Sequence, residues 1–94
     1  MKGSEKQIKW AEEIKESAFR ALDCMVSNYN RRIEWGEDPV RGCGYDLDAV
    51  EEVRTQVTEA FNKVEEASTV IDKRYKCTHS YLEQIARAIT KNRH

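Results

Sequence analysis

Apolar residues return every three or four positions along most of this chain, and interruptions of that repeat divide it into three periodic segments. In the first, Ile8, Ala11, Ile14, Ala18, Leu22, Met25 and Tyr29 follow one stripe, widened by Trp10, Phe19, Val26 and Ile33. This pattern predicts an amphipathic helix running to about Ile33. Ser4 and Gln7 stand at its head in the Ser-x-x-Gln form of a capping box, where two side chains satisfy amide groups that no earlier turn can reach. At 1.5 Å of rise per residue, such a helix would be roughly 40 Å long.

The repeat then stops. Trp35-Gly36-Glu37-Asp38-Pro39 holds the only proline, and Gly42-Cys43-Gly44 adds two flexible positions, so a long loop is expected here. Periodicity resumes with Val50, Val53, Val57, Ala60, Phe61, Val64 and Ala67, a second helix. Either Asp46 or Asp48 can cap it, Asp48 being the better box, and Val70 and Ile71 extend it toward Asp72. A basic link, Lys73-Arg74-Tyr75-Lys76, leads to a third helix beginning around Thr78 or Ser80, with Leu82, Ile85, Ala86 and Ile89 as its apolar face. The fold class is therefore all-α: a small three-helix bundle, one helical domain over residues 1–94, with a long loop between helices 1 and 2.

Ninety-four residues, 35% charged and 39% hydrophobic, suit a small helical protein whose core is thin enough to profit from a metal or a partner. No apolar run approaches the length of a bilayer span and no secretory segment is evident, which points to a cytoplasmic protein. Thiols stay reduced there, so three cysteines are read as metal ligands or buried groups rather than as a disulfide framework.

The net charge of -1 conceals a separation of sign. Residues 43–66 are strongly acidic and residues 73–94 strongly basic, which makes two candidate interaction surfaces. Asp48, Glu51, Glu52 and Glu59 would form an acidic partner-binding face on the second helix. Lys73, Arg74, Lys76, Arg87 and Lys91, with Tyr75 and Tyr81 interleaved, would contact phosphates and stack on bases. A sequence pI near 6.1 and the absence of a helix-turn-helix spacing put the protein partner first and nucleic acid second.

The soft ligands form a third candidate. Cys77 and His79, one residue apart at a helix entry, can turn to a common point. Cys43 between glycines resembles the turn of a zinc knuckle, and Cys24 would complete a four-ligand structural Zn2+ site. In an up-down bundle, however, Cys43 and Cys77 lie at opposite ends of the second helix, roughly 30 Å apart, unless the loop folds back. Catalysis is not expected. A nucleophilic cysteine needs a base and an oxyanion donor, and neither histidine follows a Glu at the spacing that di-iron bundles use.

The opening Gly3-Ser4-Glu5-Lys6-Gln7-Ile8-Lys9-Trp10-Ala11-Glu12-Glu13-Ile14 is similar to that of small, mostly uncharacterised proteins of bacteria, their phages and plasmids, which begin Gly-Ser/Thr-Glu-Lys-Gln-Ile-x-Trp-Ala-Glu-x-Ile. Ala67-Ser68-Thr69-Val70-Ile71-Asp72-Lys73-Arg74 resembles their later Ala-x-x-Trp-Ile-Asp-x-Arg element, with Val70 where an aromatic is common. The resemblance implies a helical fold and a mobile-element setting. That setting implies stoichiometric binding to a host protein, and most sharply an anti-CRISPR inhibitor that places its acidic helix on a CRISPR effector nuclease and impedes nucleic-acid loading.

Overall fold

In the computed structural model, which describes residues 2–93, the chain forms five α-helices and a 3-10 turn. Helix α1 spans Glu5–Glu34. Ser4 caps it as expected: its hydroxyl accepts from the Gln7 amide at 3.2 Å, and the Ser4 amide donates to Gln7 Oε1 at 3.1 Å. At 1.5 Å per residue α1 is about 45 Å long, close to the longest dimension of the molecule, 49 Å. Every other helix packs against it.

The long loop expected after α1 contains a helix of its own, α2 (Pro39–Cys43). Asp38 accepts from the amides of Val40 and Arg41 at 3.1 and 3.3 Å, and Pro39 occupies the first helical position, where a missing N–H costs nothing. Gly44 ends the turn in the left-handed region at φ +83, and its amide donates to the Val40 carbonyl. The residues read as punctuation are thus a complete set of start and stop signals for one short helix.

Helix α3 (Leu47–Lys63) is capped by Asp46, not by Asp48. Asp46 accepts from the Ala49 amide at 2.7 Å, while its own amide donates to Thr90 Oγ1 at 3.1 Å. The cap is therefore fixed from α5, a partner that sequence spacing does not reveal. Nor does α3 continue to Asp72. Val64 is extended, and a separate helix, α4 (Ala67–Asp72), follows. The break is held by the N-terminus: Lys2 N donates to Glu65 O and Ala67 N donates to Lys2 O, both at 2.7 Å. Lys2 thereby satisfies an amide that the start of α4 leaves without a helical partner. Gly3, at φ +146, allows the close approach; a Cβ there would meet the Ala67 Cβ at 3.2 Å.

A 3-10 turn, Arg74–Cys77, leads into α5 (His79–Arg93). Thr78 stands at its start, its hydroxyl accepting from the Tyr81 amide at 3.3 Å, so Ser80 lies inside the helix rather than capping it.

The interior has two parts. The larger joins Ala18, Leu22 and Met25 of α1 to Ala49, Val50 and Val53 of α3, Leu82 and Ala86 of α5, and the buried Cys43 and Tyr45. The smaller joins Ala11 and Ile14 of α1 to Ala67 and Val70 of α4. Phe61 and Cys77 touch both. Because Leu22 lies in the larger cluster and is fully buried, Leu22→Ala should cost about 2–5 kcal/mol in urea unfolding. Ser4→Ala removes only a cap at an exposed helix end and should cost about 1 kcal/mol. Equal losses would contradict this division between core and cap.

Candidate functional site

The apolar face of α3 is wider than the core uses. Along its second half, Val57, Ala60, Phe61 and Val64 line one wall of an open groove of about 330 Å³. Tyr81, Leu82 and Ile85 of α5 form the facing wall, and Val70 and Cys77 close the floor. Lys73 and Lys76 also line it, on the α4 side. Long lysine stems cover apolar surface while keeping their ammonium groups in water, so the rim there is both greasy and cationic.

The expected acidic residues lie on the outer surface of α3, where Asp48, Glu51, Glu52 and Glu59 are all exposed. Asp48, Glu52 and Glu59 share one stripe, being four and seven residues apart in turn. Three of the four acids are paired within the chain. Glu52 meets Arg93 at 3.3 Å and Glu51 meets Arg54 at 3.6 Å. Asp48 lies 3.9 Å from Arg93 with its side chain 91% exposed, and Glu59 makes no ion pair among the described residues.

The basic segment is divided. Arg74 donates to the Ile71 carbonyl at 2.7 Å and stacks over the Trp10 ring at 5.4 Å. That places Trp10 as an edge residue of the bundle, about 38 Å by helix rise from Trp35 at the far end of α1, so the two indoles make no common patch. Arg87 donates to the Cys43 carbonyl at 3.1 Å and pairs with Glu83. Lys73, Lys76 and Lys91 remain exposed, with Lys76 near the Tyr75 ring.

The proposed metal ligands are not gathered. Cys24, Cys77 and His79 line one shallow surface depression between α1 and the start of α5, and Cys43 lies elsewhere, in a cleft with Tyr45 and Arg87. His79 Nε2 is directed to Glu83 at 3.1 Å. Among the described residues no three His, Cys, Asp or Glu side chains converge as ion ligands. The four residues as placed do not fit one tetrahedral zinc. The loop that would have had to fold back is tied down by α2.

Gly42 and Gly44 have a different purpose from a knuckle. The Arg32 side chain lies against Gly42, where an added Cβ would meet Arg32 Cδ and Nη1 at 2.7 Å. Arg87 lies against Gly44, where a Cβ would meet its Nε at 3.0 Å. Gly42 sits within α2, where glycine costs up to about 1 kcal/mol relative to alanine. An added Cβ at Gly42 would displace only the movable end of Arg32, whereas the left-handed φ of +83 at Gly44 itself favours glycine. Sequence reading singled out Trp35 as an aromatic anchor but missed Arg31 and Arg32; the signal was a pair of arginines at the end of the first helix, and only folding places them together with Arg87.

Comparison with family profiles, curated proteins and solved structures finds no match for this chain. Among the described residues no helix is long and apolar enough to cross a membrane.

Three thiols in three environments should react in order. Cys24 is exposed, Cys77 half-buried and Cys43 buried. A disulfide reagent should label Cys24 first, Cys77 more slowly and Cys43 only after unfolding. Rapid native labelling of Cys43 would contradict the placement of α2.

A pH dependence follows from the same burial. Burial pushes the Cys77 thiol above its ordinary value, and burial, reinforced by the neighbouring Cys43, holds the Tyr45 hydroxyl well above the usual tyrosine range. Tyr45 donates to the Met25 carbonyl at 3.3 Å. Both groups keep their protons in the folded chain at pH values where the unfolded chain has released them. Stability should therefore fall as pH rises above about 9, with the Tyr45 share beginning near 10. Denaturant melts at pH 8 and above 10 would measure the loss, and Tyr45→Phe should lessen the upper part of it.

Proposed function

We propose that this chain is a non-enzymatic protein-binding module whose partner lies along α3 and fills the groove between α3 and α5. The observation that carries the reading is the groove itself: about 330 Å³ of mainly aliphatic and aromatic lining left open beside a charged helix. The occupant that fits is an amphipathic segment of a host protein. Its apolar side chains enter the groove, and its basic side chains follow the Asp48, Glu52 and Glu59 stripe. Lys73 and Lys76 on the opposite rim repel those bases from the α4 side, so the charges select one orientation.

The sharper form of the proposal is an inhibitor from a mobile element that occupies the basic nucleic-acid channel of a CRISPR effector nuclease. The resemblance of the Gly3–Ile14 and Ala67–Arg74 elements supports that setting, and the exposed carboxylates of α3 support the basic partner surface. The alternative, a nucleic-acid-binding accessory factor using the basic C-terminal segment, is weaker because Arg74 is engaged within the chain, on the Ile71 carbonyl and over the Trp10 ring.

Ala60→Arg tests the groove, because Ala60 lines it yet is exposed and lies outside the core. Complex formation with a candidate effector, followed by size exclusion, should fall at least tenfold for Ala60→Arg. Joint Asp48→Lys and Glu59→Lys replacement should weaken it further at low salt. Glu59 makes no ion pair among the described residues and Asp48 only the 3.9 Å contact to Arg93, whereas reversal of Glu51 or Glu52 would break the closer pairs with Arg54 and Arg93. A complex indifferent to both variants would sink the reading.

A further inference from the structure

We propose that the cleft where the end of α1 meets α2 and α5 binds a nucleoside phosphate, with the phosphate on Arg31, Arg32 and Arg87 and the base against Trp35. The cleft holds about 270 Å³. Three guanidiniums line it against one carboxylate, that of Glu83. Glu83 is already shared between Arg87 and His79, and Arg32 reaches Glu37 at 2.9 Å. A guanidinium carries five N–H donors, so these contacts orient Arg32 and Arg87 without exhausting them. The Arg31 guanidinium makes no hydrogen bond or ion pair among the described residues.

Planar forks held in place suit the tetrahedral oxygens of phosphate better than mobile lysines would. Arg32 and Arg87 pass close to Gly42 and Gly44, and the Glu37 carboxylate, the Cys43 carbonyl and Glu83 orient them. The cleft exceeds a lone phosphate but falls below the usual range for a whole enclosed ligand, about 300–1,000 Å³. The rest of the ligand must then lie at the mouth. Trp35 lines the cleft while 65% exposed, which offers an indole face for a base to stack on. The phosphate would belong either to a free nucleotide or to the end of a strand; both present the same group. This site shares no lining residue with the groove, and the two proposals stand apart.

Calorimetric titration of the full chain with AMP should give saturable one-to-one binding, with inorganic phosphate at least about tenfold weaker for want of the stacked base. Arg31→Ala should abolish binding while leaving the circular dichroism and thermal midpoint unchanged, since Arg31 has no structural partner. Trp35→Ala should weaken AMP by roughly tenfold and leave phosphate alone unaffected. A 5′-phosphorylated hexanucleotide distinguishes the sources: affinity equal to AMP identifies a free nucleotide, and tighter binding identifies a strand end. Ala60→Arg should leave AMP binding intact. Absence of saturable AMP binding at millimolar concentration, binding that survives Arg31→Ala, or phosphate binding as tight as AMP would overturn the proposal.

Discussion

Everything in this fold answers to the length of one apolar stripe. Helix α1 runs for 30 residues, and no other helix in the chain is long enough to cover it. The stripe must be buried in pieces, because exposed apolar area costs about 25 cal/mol per Å² relative to burial. Helix α4 takes the first part through Ala11 and Ile14, and α3 and α5 take the second through Ala18, Leu22 and Met25. Covering both parts obliges the chain to turn out of α3 at Val64. The turn would leave helix-end amides without partners, and the backbone of Lys2 supplies one.

The Gly3–Ile14 and Ala67–Arg74 elements meet at this point. Lys2 bridges to Glu66, Gly3 lies against Ala67, Ala11 and Ile14 pack on Ala67 and Val70, and Arg74 stacks on Trp10. Their residues are accounted for by one packed unit in which a glycine, a cap and a small alanine allow two backbones to approach. Val70 and Lys73 of this unit also line the groove between α3 and α5, whereas the arginine-lined cleft lies at the other end of α1.

The groove is a by-product of the same turn. Once the chain leaves α3 for α4, Ala60 stays exposed and Val57 and Val64 only half-buried, and with residues of α5 they line the channel. At the opposite end, α2 brings Gly42, Cys43 and Gly44 against the last turns of α1, so that two arginines settle on glycines. One chain thus presents two chemically distinct surfaces, an apolar groove with two lysines in its lining and a cleft lined by three arginines. Both use α5 but share no lining residue, the groove taking Tyr81, Leu82 and Ile85 and the cleft Glu83 and Arg87.

The sequence alone determined what depends on near neighbours. The Ser4–Gln7 box, the extent of α1, the apolar faces of α3 and α5 and the all-α class were legible because caps and three-four repeats act within a turn or two. The same local logic was present in Asp38-Pro39 and Gly44, although their density made a helix look like a loop. Tertiary structure decided the rest. Asp46 rather than Asp48 caps α3 because Thr90 of α5 holds its amide. Helix α3 stops at Lys63 because Lys2, more than sixty residues earlier, pairs with the segment that follows. Cys43 parts from Cys24, Cys77 and His79, and Arg31, Arg32 and Arg87 come together, through the packing of whole helices. Periodicity specifies which face of a helix is buried; it carries no record of which distant residue completes a cap, ends a helix or shares a cleft.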